Sequence, residues 1–412
     1  MTIRPAPEDE SAAGPLPLTG IKVLDLSRVF AGPVAGRVLS DLGADVVKVE
    51  PPEGDITRLW GLKAAGLSTY YTQQNCGKRN ISIDLRQPGG PELVADLAAE
   101  ADVLVENFRP GVMARYGLDW DSVSARNPGL VMLSISGFGQ DGPDAGRAAY
   151  AAVIHAETGL VEHSTRDNPL DVSFSAADVL SGMHGVIGVM AALRVKDMTG
   201  LGQHVDVAMV DAMAFSSDRS VASLDGRLHE QQNGELWETS AGPVMIPGGL
   251  KWVWHQMSTV HGLVDPTPKD GELAEKLANR RRITTEYLCS LPDRAAVLAA
   301  LDGAGLAWGE VREMESVIDA PAIRHRNTVA RIDDRAGSTR PVIRSPYRMS
   351  MTDTRSVGPA SFRGEHNHEV LAEWLGVDRG TVDRLMSERV MLQDEWADGT
   401  ATPEPPRSQK RR

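Results

Sequence analysis

The sequence predicts an α/β protein whose large domain is a Rossmann-like, mostly parallel sheet, accompanied by a smaller α+β domain. Three observations predict it. Short apolar, β-branched runs alternate with helical stretches through the first half, the pattern of a sheet buried on both faces. The segment from Leu18 to Pro52 reads as strand, tight loop, helix, strand. The loop, Arg28-Val-Phe-Ala-Gly-Pro33, lacks the Gly-x-Gly-x-x-Gly that a dinucleotide pyrophosphate requires. The sheet is therefore of nucleotide-binding type while its ligand is not an ordinary dinucleotide.

The elements follow in order. Ile21–Leu26 is a strand, and Pro33–Leu42 a helix stopped by Gly43. Val46–Val49 is a second buried strand, and Asn80–Leu85 alternates as a third. Pro91–Ala101 is a helix with Pro in its first turn. Asp102–Asn107 and Leu130–Ile135 are strands, with a short helix at Val112–Tyr116. Asp178–Lys196 is a long apolar helix carrying Ser181, Gly182, Gly185 and Gly188. Each internal glycine costs about 1 kcal/mol relative to alanine, so their grouping predicts close approach to another backbone. Gln203–Met209 is a strand, and Asp211–Phe215 a helix.

The second half changes character. Residues 216–250 are polar and turn-rich and read as a linker. Residues 251–330 read as a small domain: a strand at Lys251–Trp254, then helices at Gly271–Leu277, Thr284–Leu291 and Arg294–Leu301. Residues 331–395 return to strand and loop and complete the large domain 18–215, ending in helices Glu369–Leu375 and Arg379–Ser387. The ends, 1–17 and 396–412, have the Pro-rich composition of disorder.

Bulk composition removes several classes. A net charge of −13 argues against a nucleic-acid partner. Two distant cysteines, Cys76 and Cys289, give neither a disulfide scaffold nor a Cys-based metal site and fit a reducing cytoplasm. No basic region followed by an apolar run opens the chain, and no uninterrupted apolar run approaches about 18 residues, so neither a signal peptide nor a membrane span is expected.

Asp178 is the leading catalytic candidate, and two readings compete for it. At the start of an apolar helix it is an N-cap by residue type. Alternatively, a carboxylate at a positive helix end, among small residues, is a nucleophile that a bulky substrate reaches. Cys76 reads as a buried structural thiol, and His366 and His368 make a poor metal site. His155 and His184 read as satisfied polar residues, Trp252 and Trp254 as strand packing, and Pro247-Gly-Gly249 as an ordinary turn.

Several blocks together resemble the class III CoA-transferase family, which includes formyl-CoA transferase, carnitine CoA-transferase and the α-methylacyl-CoA racemases. They are Leu18–Asp55, Lys78–Leu85, Val105–Gly111, Ser134–Pro143, Thr199–Asp206 and Gly364–His366. The resemblance covers about 18–215 and 340–390 and is weak across 216–330. It implies an interlocked homodimer and thioester exchange through Asp178, between an acyl-CoA and a small carboxylic acid. No metal or permanently bound cofactor is implied. It points CoA to Arg28, Val29, Phe30 and Ala31, to Ile83, Leu85 and Arg86, and to Asn107, Phe108 and Arg115. Loops at the carboxyl ends of parallel strands are the expected place for such a ligand. Arg28, Lys78, Arg79, Arg86, Arg109 and Arg115 are expected to bring phosphate-binding charge to them.

The chain departs from the family at Tyr150 and Ala151, and at His155, which stands where a Gln is common. Counting from Arg147, the His-Asp pair of the racemases is replaced by Tyr150 and Ala151. Tyr150 has the wrong proton affinity for abstracting an α-proton. A transferase is therefore expected, with an acyl-CoA racemase or isomerase and a non-catalytic CoA-binding subunit as the alternatives.

Overall fold

The computed structural model describes residues 16–161, 174–217, 220, 224, 234–352, 354 and 358–394. Apart from residues 16 and 17, the two ends read as disordered lie outside the described residues. By compactness the chain divides into one unit of 1–221 with 327–412 and a second of 222–326.

The larger unit is built on strands β1 (Lys22–Asp25) and β2 (Asp45–Glu50), a small hairpin of β3 (Lys63–Ala64) and β4 (Leu67–Ser68), then β5 (Arg79–Ser82), β6 (Val103–Glu106), β7 (Val131–Ser136) and β8 (His204–Ala208). Six of these form one sheet in the order β5-β2-β1-β6-β7-β8. Every neighbouring pair in it is parallel. Numbered along the chain, that order is 3-2-1-4-5-6, the doubly wound arrangement. The order reverses between β1 and β6, so a crevice opens at their carboxyl ends, where such sheets take ligands.

Each strand sends alternate residues to opposite faces. Leu24, Val47, Leu104 and Met132 join one core with Leu93, Leu97 and Trp374. Val23, Val46, Val105 and Leu133 join the other with Ala35, Leu39, Val186 and Val189. Burying one such aliphatic side chain stabilises by about 1.5–3 kcal/mol.

The second face is covered by the helices Ala31–Asp41 and Ala176–Thr199, which pack on each other. Their contact explains the helix glycines. A Cβ on Gly182 would lie 2.6 Å from the Ala31 carbonyl oxygen, while Gly185 and Gly188 admit Leu133 and Val205 of the sheet. The 24-residue Ala176–Thr199 helix is long and apolar enough to cross a membrane by length and composition. One face lies on the sheet through Val186, Val189 and Leu193, while Ile187 and Met198 are exposed.

The unit 222–326 corrects three readings. The stretch read as linker carries β9 (Glu235–Trp237) and β10 (Val244–Ile246), which pair antiparallel with each other and with β11 (Gly309–Glu310). Three-residue strands between Gly and Pro give too short an alternation to stand out. Lys251–Trp254, read as a strand, lies in the helix Leu250–His261, which buries Val253, Trp254 and Met257 at helical spacing. The Pro247–Gly249 turn leads into that helix. Two separate helices were expected across 271–291; one runs Leu273–Ser290 through the polar but helix-favouring Arg280–Arg282. Back in the larger unit, β12 (Val329–Asp333) and β13 (Thr339–Ile343) form a hairpin.

Candidate active site

The first loop is held by side chains rather than by glycines. The Ser27 N–H donates to Asp25 Oδ1 at 3.0 Å, and the Arg28 N–H to Asn107 Oδ1 at 2.9 Å. The Val29 N–H donates to Asp55 Oδ2 at 3.1 Å. The Ala31 N–H donates to the carboxylate of Asp178. Amides that a dinucleotide loop would turn toward pyrophosphate are thus committed within the protein. Val29 sits at φ +70°, in the left-handed region that a β-branched residue rarely enters. That strain persists because its neighbours fix it on both sides.

Beneath the loop lies a buried ionic floor. Lys78 Nζ is 2.9 Å from Asp25 Oδ2 and also donates to the Pro33 carbonyl and to Asn75. Lys48 Nζ donates to the Ser27 carbonyl at 2.7 Å and lies 3.3 Å from Asp55. Glu50 accepts from Arg58, Tyr71 and Asn80. Burial pushes the Asp25 carboxyl up, but Lys78 and Lys48 outweigh it and hold it below its usual value. Burial also pushes Glu50 up, and Arg58 and Lys48 reverse that too. For Lys78, burial and the like charges of Lys48 and Arg37 win over Asp25 and bring the amine down to about 8.

Asp178 is not a cap. Its helix begins at Ala176, Ser175 holds the N-cap position without a capping side chain, and Asp178 is the third helical residue. His155 does the capping instead: its Nε2 accepts the Ala177 N–H at 3.1 Å. Burial lowers the proton affinity of His155, which keeps the imidazole neutral and able to accept. Asp178 is left to accept the Ala31 N–H, and among the described residues it forms no ion pair. Burial pushes its carboxyl up to about 6, with the Ala31 N–H opposing. The helix end therefore does not keep this acid at an ordinary value, yet at pH 7 it remains mostly ionised.

An aromatic wall stands beside Asp178 that sequence reasoning passed over. The Tyr70 ring lies 5.6 Å from Phe30 and 5.2 Å from Trp60. Burial raises the Tyr70 phenol, and the charge of Asp178 raises it further. The available signal was local enrichment: Trp60 and Tyr70 fall close together in a chain only 5% aromatic.

The structure brings together most of the residues expected to meet CoA. Arg28, Val29, Phe30 and Ala31 follow β1; Asn107 and Phe108 follow β6, across the switch point. Asn107 Nδ2 returns a bond to the Arg28 carbonyl at 2.8 Å, and the Arg28 guanidinium lies over the Phe108 ring at 5.4 Å. Ile83 and Leu85 follow β5 and belong to the core there, Ile83 fully buried and Leu85 partly. Arg86 is exposed and shared by Glu53 and Asp84. Arg115 is exposed at the end of the helix Val112–Arg115.

Two of the expected phosphate-binding cations lie elsewhere. Lys78 is spent on the floor. Arg79 pairs with Asp45, Glu369 and Glu373 at the opposite, amino-terminal edge of the sheet. Cationic residues near a strand read alike in sequence, and only register assigns them to one edge. Tyr150 is exposed and precedes the helix Ala151–Glu157. Cys76 is buried and accepts from Arg37, His366 Nδ1 accepts the Asn80 N–H, and His368 pairs with Asp383.

A doubly wound sheet, a first loop without the dinucleotide glycines and a carboxylate that forms no ion pair among the described residues meet at the switch point. The CoA-transferase family III profile matches residues 18–367, and the chain belongs to that family. It is 32% identical over 389 residues to the succinate–glutarate CoA-transferase of Agrobacterium fabrum, covering 88% of this chain and 97% of that one. It is 30% identical to the β subunit of the succinyl-CoA–L-malate CoA-transferase of Chloroflexus aurantiacus, covering 91% and 98%. A CAIB/BAIF family protein from Brucella suis superposes with a TM-score of 0.76 at 33% identity, over 88% of this chain and all of the other. The protein is a family III CoA-transferase.

Proposed function

We propose that this enzyme moves CoA from succinyl-CoA to a small dicarboxylic acid through a covalent intermediate on Asp178. The supporting observation is the carboxylate itself: freed from capping by His155, without an ion pair among the described residues, and accepting from Ala31 in the loop after β1. The acids are those named for the relatives, succinate with glutarate or L-malate.

In this reading CoA lies along Arg28–Ala31, Asn107 and Phe108, with Leu85, Arg86 and Arg115 at its outer end; Ile83, buried in the core, supports that end from beneath. A carboxylate oxygen of Asp178 attacks the thioester carbonyl, and the C–S bond breaks to give a mixed anhydride and CoA thiolate. The thiolate attacks the Asp178 carbonyl, leaving an aspartyl-CoA thioester and releasing the donor acid. The acceptor carboxylate attacks that thioester, and the steps run in reverse. One thioester replaces another, so neither ATP nor a general base enters. The Ala31 N–H holds the attacking carboxylate in place and is a donor ready for the oxyanion that develops there. The exposed apolar residues Ile187 and Met198 on the Ala176–Thr199 helix, with Phe215, support assembly as a homodimer.

The test is incubation with succinyl-CoA and mass spectrometry of the peptide carrying Asp178. A succinyl or CoA adduct on Asp178 is expected. No adduct, together with full transfer by Asp178→Ala, would overturn the proposal.

A further inference from the structure

Glu106 ends β6 and is buried, yet forms no ion pair among the described residues. Its Oε2 accepts the Phe108 N–H at 2.8 Å, so it grips from below the loop that carries Asn107 and Phe108. Its carboxylate also accepts from the Ser134 hydroxyl. Ser134 Oγ in turn lies 2.9 Å from His204 Nε2, and the His204 ring stacks on Trp120 at 5.8 Å. An ionised carboxylate only accepts, so Ser134 donates to Glu106 and His204 Nε2–H donates to Ser134. The three side chains line a cavity of about 340 Å³ with Arg109, Asp119 and Asp121, on the sheet face opposite the Ala176–Thr199 helix.

We propose that Glu106, Ser134 and His204 form a proton relay that controls the Asn107–Arg109 loop, with Glu106 a positioning residue for CoA that grips the loop when ionised. The proposal rests on reading that loop as a CoA contact. Groups on β7, on β8 and in the loop after β6 bear on the charge of Glu106. From β8, Asp206 repels the ionised form and His204 is kept neutral by burial. From β7, Ser134 supports the ionised form, as does the Phe108 N–H. Arg109, Asp119 and Asp121 face the shared cavity; β1 presents Leu24 on this side, and the chain beyond it presents Leu26 and then Arg28, whose guanidinium lies over the Phe108 ring. Burial dominates and pushes the Glu106 carboxyl up to about 7. The grip on Phe108 therefore changes within the physiological range, and the cavity gives its proton a route through His204 and Ser134.

The experiment measures CoA affinity of the full chain from pH 6 to pH 8 by calorimetry, for wild type and Glu106→Gln. Gln keeps an acceptor oxygen for the Phe108 N–H and removes the titration. If only the ionised form binds, wild-type affinity falls by about tenfold from pH 8 to pH 6 relative to Glu106→Gln. Because CoA's own phosphates titrate equally against both proteins, the ratio isolates Glu106. Ser134→Ala is expected to move the wild-type transition to higher pH. Identical pH profiles for wild type and Glu106→Gln would overturn the relay. Amide exchange of Phe108 without ligand separates this from the function itself. Phe108 protection that rises through pH 7 in wild type but not in Glu106→Gln upholds the relay even if CoA does not bind. Protection equal in both overturns it.

Discussion

Two groups of buried carboxylates meet the first loop, and their electrostatics are opposite. Asp25 and Glu50 in the floor face Lys78, Lys48 and Arg58, and their carboxyls are held below ordinary values. Among the described residues Asp178 and Glu106, beside the loop, receive only N–H and O–H donors, and burial pushes them up to about 6 and about 7. The difference separates two jobs. A paired buried acid is structural, because removing either partner leaves an uncompensated charge. An unpaired one carries a standing cost in stability, which a fold tolerates where it uses the proton or the lone pair.

The largest effect belongs to the nucleophile. Asp178→Asn should lower CoA transfer by at least about 10⁴-fold, measured with succinyl-CoA and glutarate, while leaving CoA affinity at pH 8 within a few-fold. Activity retained near wild type would erase the distinction between the two groups.

Next comes the floor. Lys78→Met strands the Asp25 carboxylate and should destabilise by about 3–5 kcal/mol in urea melts at pH 7. A loss below about 1 kcal/mol would mean that the floor is as dispensable as a surface pair.

The third effect has the opposite sign. The Asp178 carboxyl is raised in the folded state, so its contribution to stability is present at low pH and is lost as pH climbs through 6. Asp178→Asn removes that loss. After allowance for partial solvent screening, it should be more stable than wild type by roughly 1–2 kcal/mol at pH 8 and equal to it at pH 4. The same titration should weaken wild-type turnover below about pH 6.

The smallest effect tests the strained loop. Val29→Gly relieves the positive φ and should leave stability within about 1 kcal/mol, yet raise the KM for CoA a few-fold by loosening the loop. An unchanged KM would make the strain incidental.

The sheet was legible because its strands, of four to six residues, are apolar and β-branched, and because turn residues such as Gly43 and Gly200 mark helix ends between them. Residues 216–330 were not, because strands of three residues carry almost no period. The partly exposed Trp252 beside buried Trp254 also reads like strand alternation. Asp178 was found by residue type and position, but the competing N-cap reading is excluded by the helix starting at Ala176 and by His155, which caps it from 22 residues away. The left-handed Val29, the aromatic wall of Trp60 and Tyr70, and the grip of Glu106 on Phe108 are all tertiary. Glu106 in particular reads as an ordinary strand end, since nothing local reports that no cation meets it.

The central claim is that acyl transfer passes through the Asp178 carboxylate, and isotope labelling tests it most directly. The enzyme is turned over with succinyl-CoA and glutarate labelled with ¹⁸O in its carboxylates, and the peptide carrying Asp178 is then weighed. When the glutarate oxygen bridges to Asp178 and CoA thiolate then takes the glutaryl carbon, that oxygen stays on the aspartate. The account predicts ¹⁸O in Asp178 and in no other carboxylate. An Asp178 that stays unlabelled while glutaryl-CoA accumulates would contradict it.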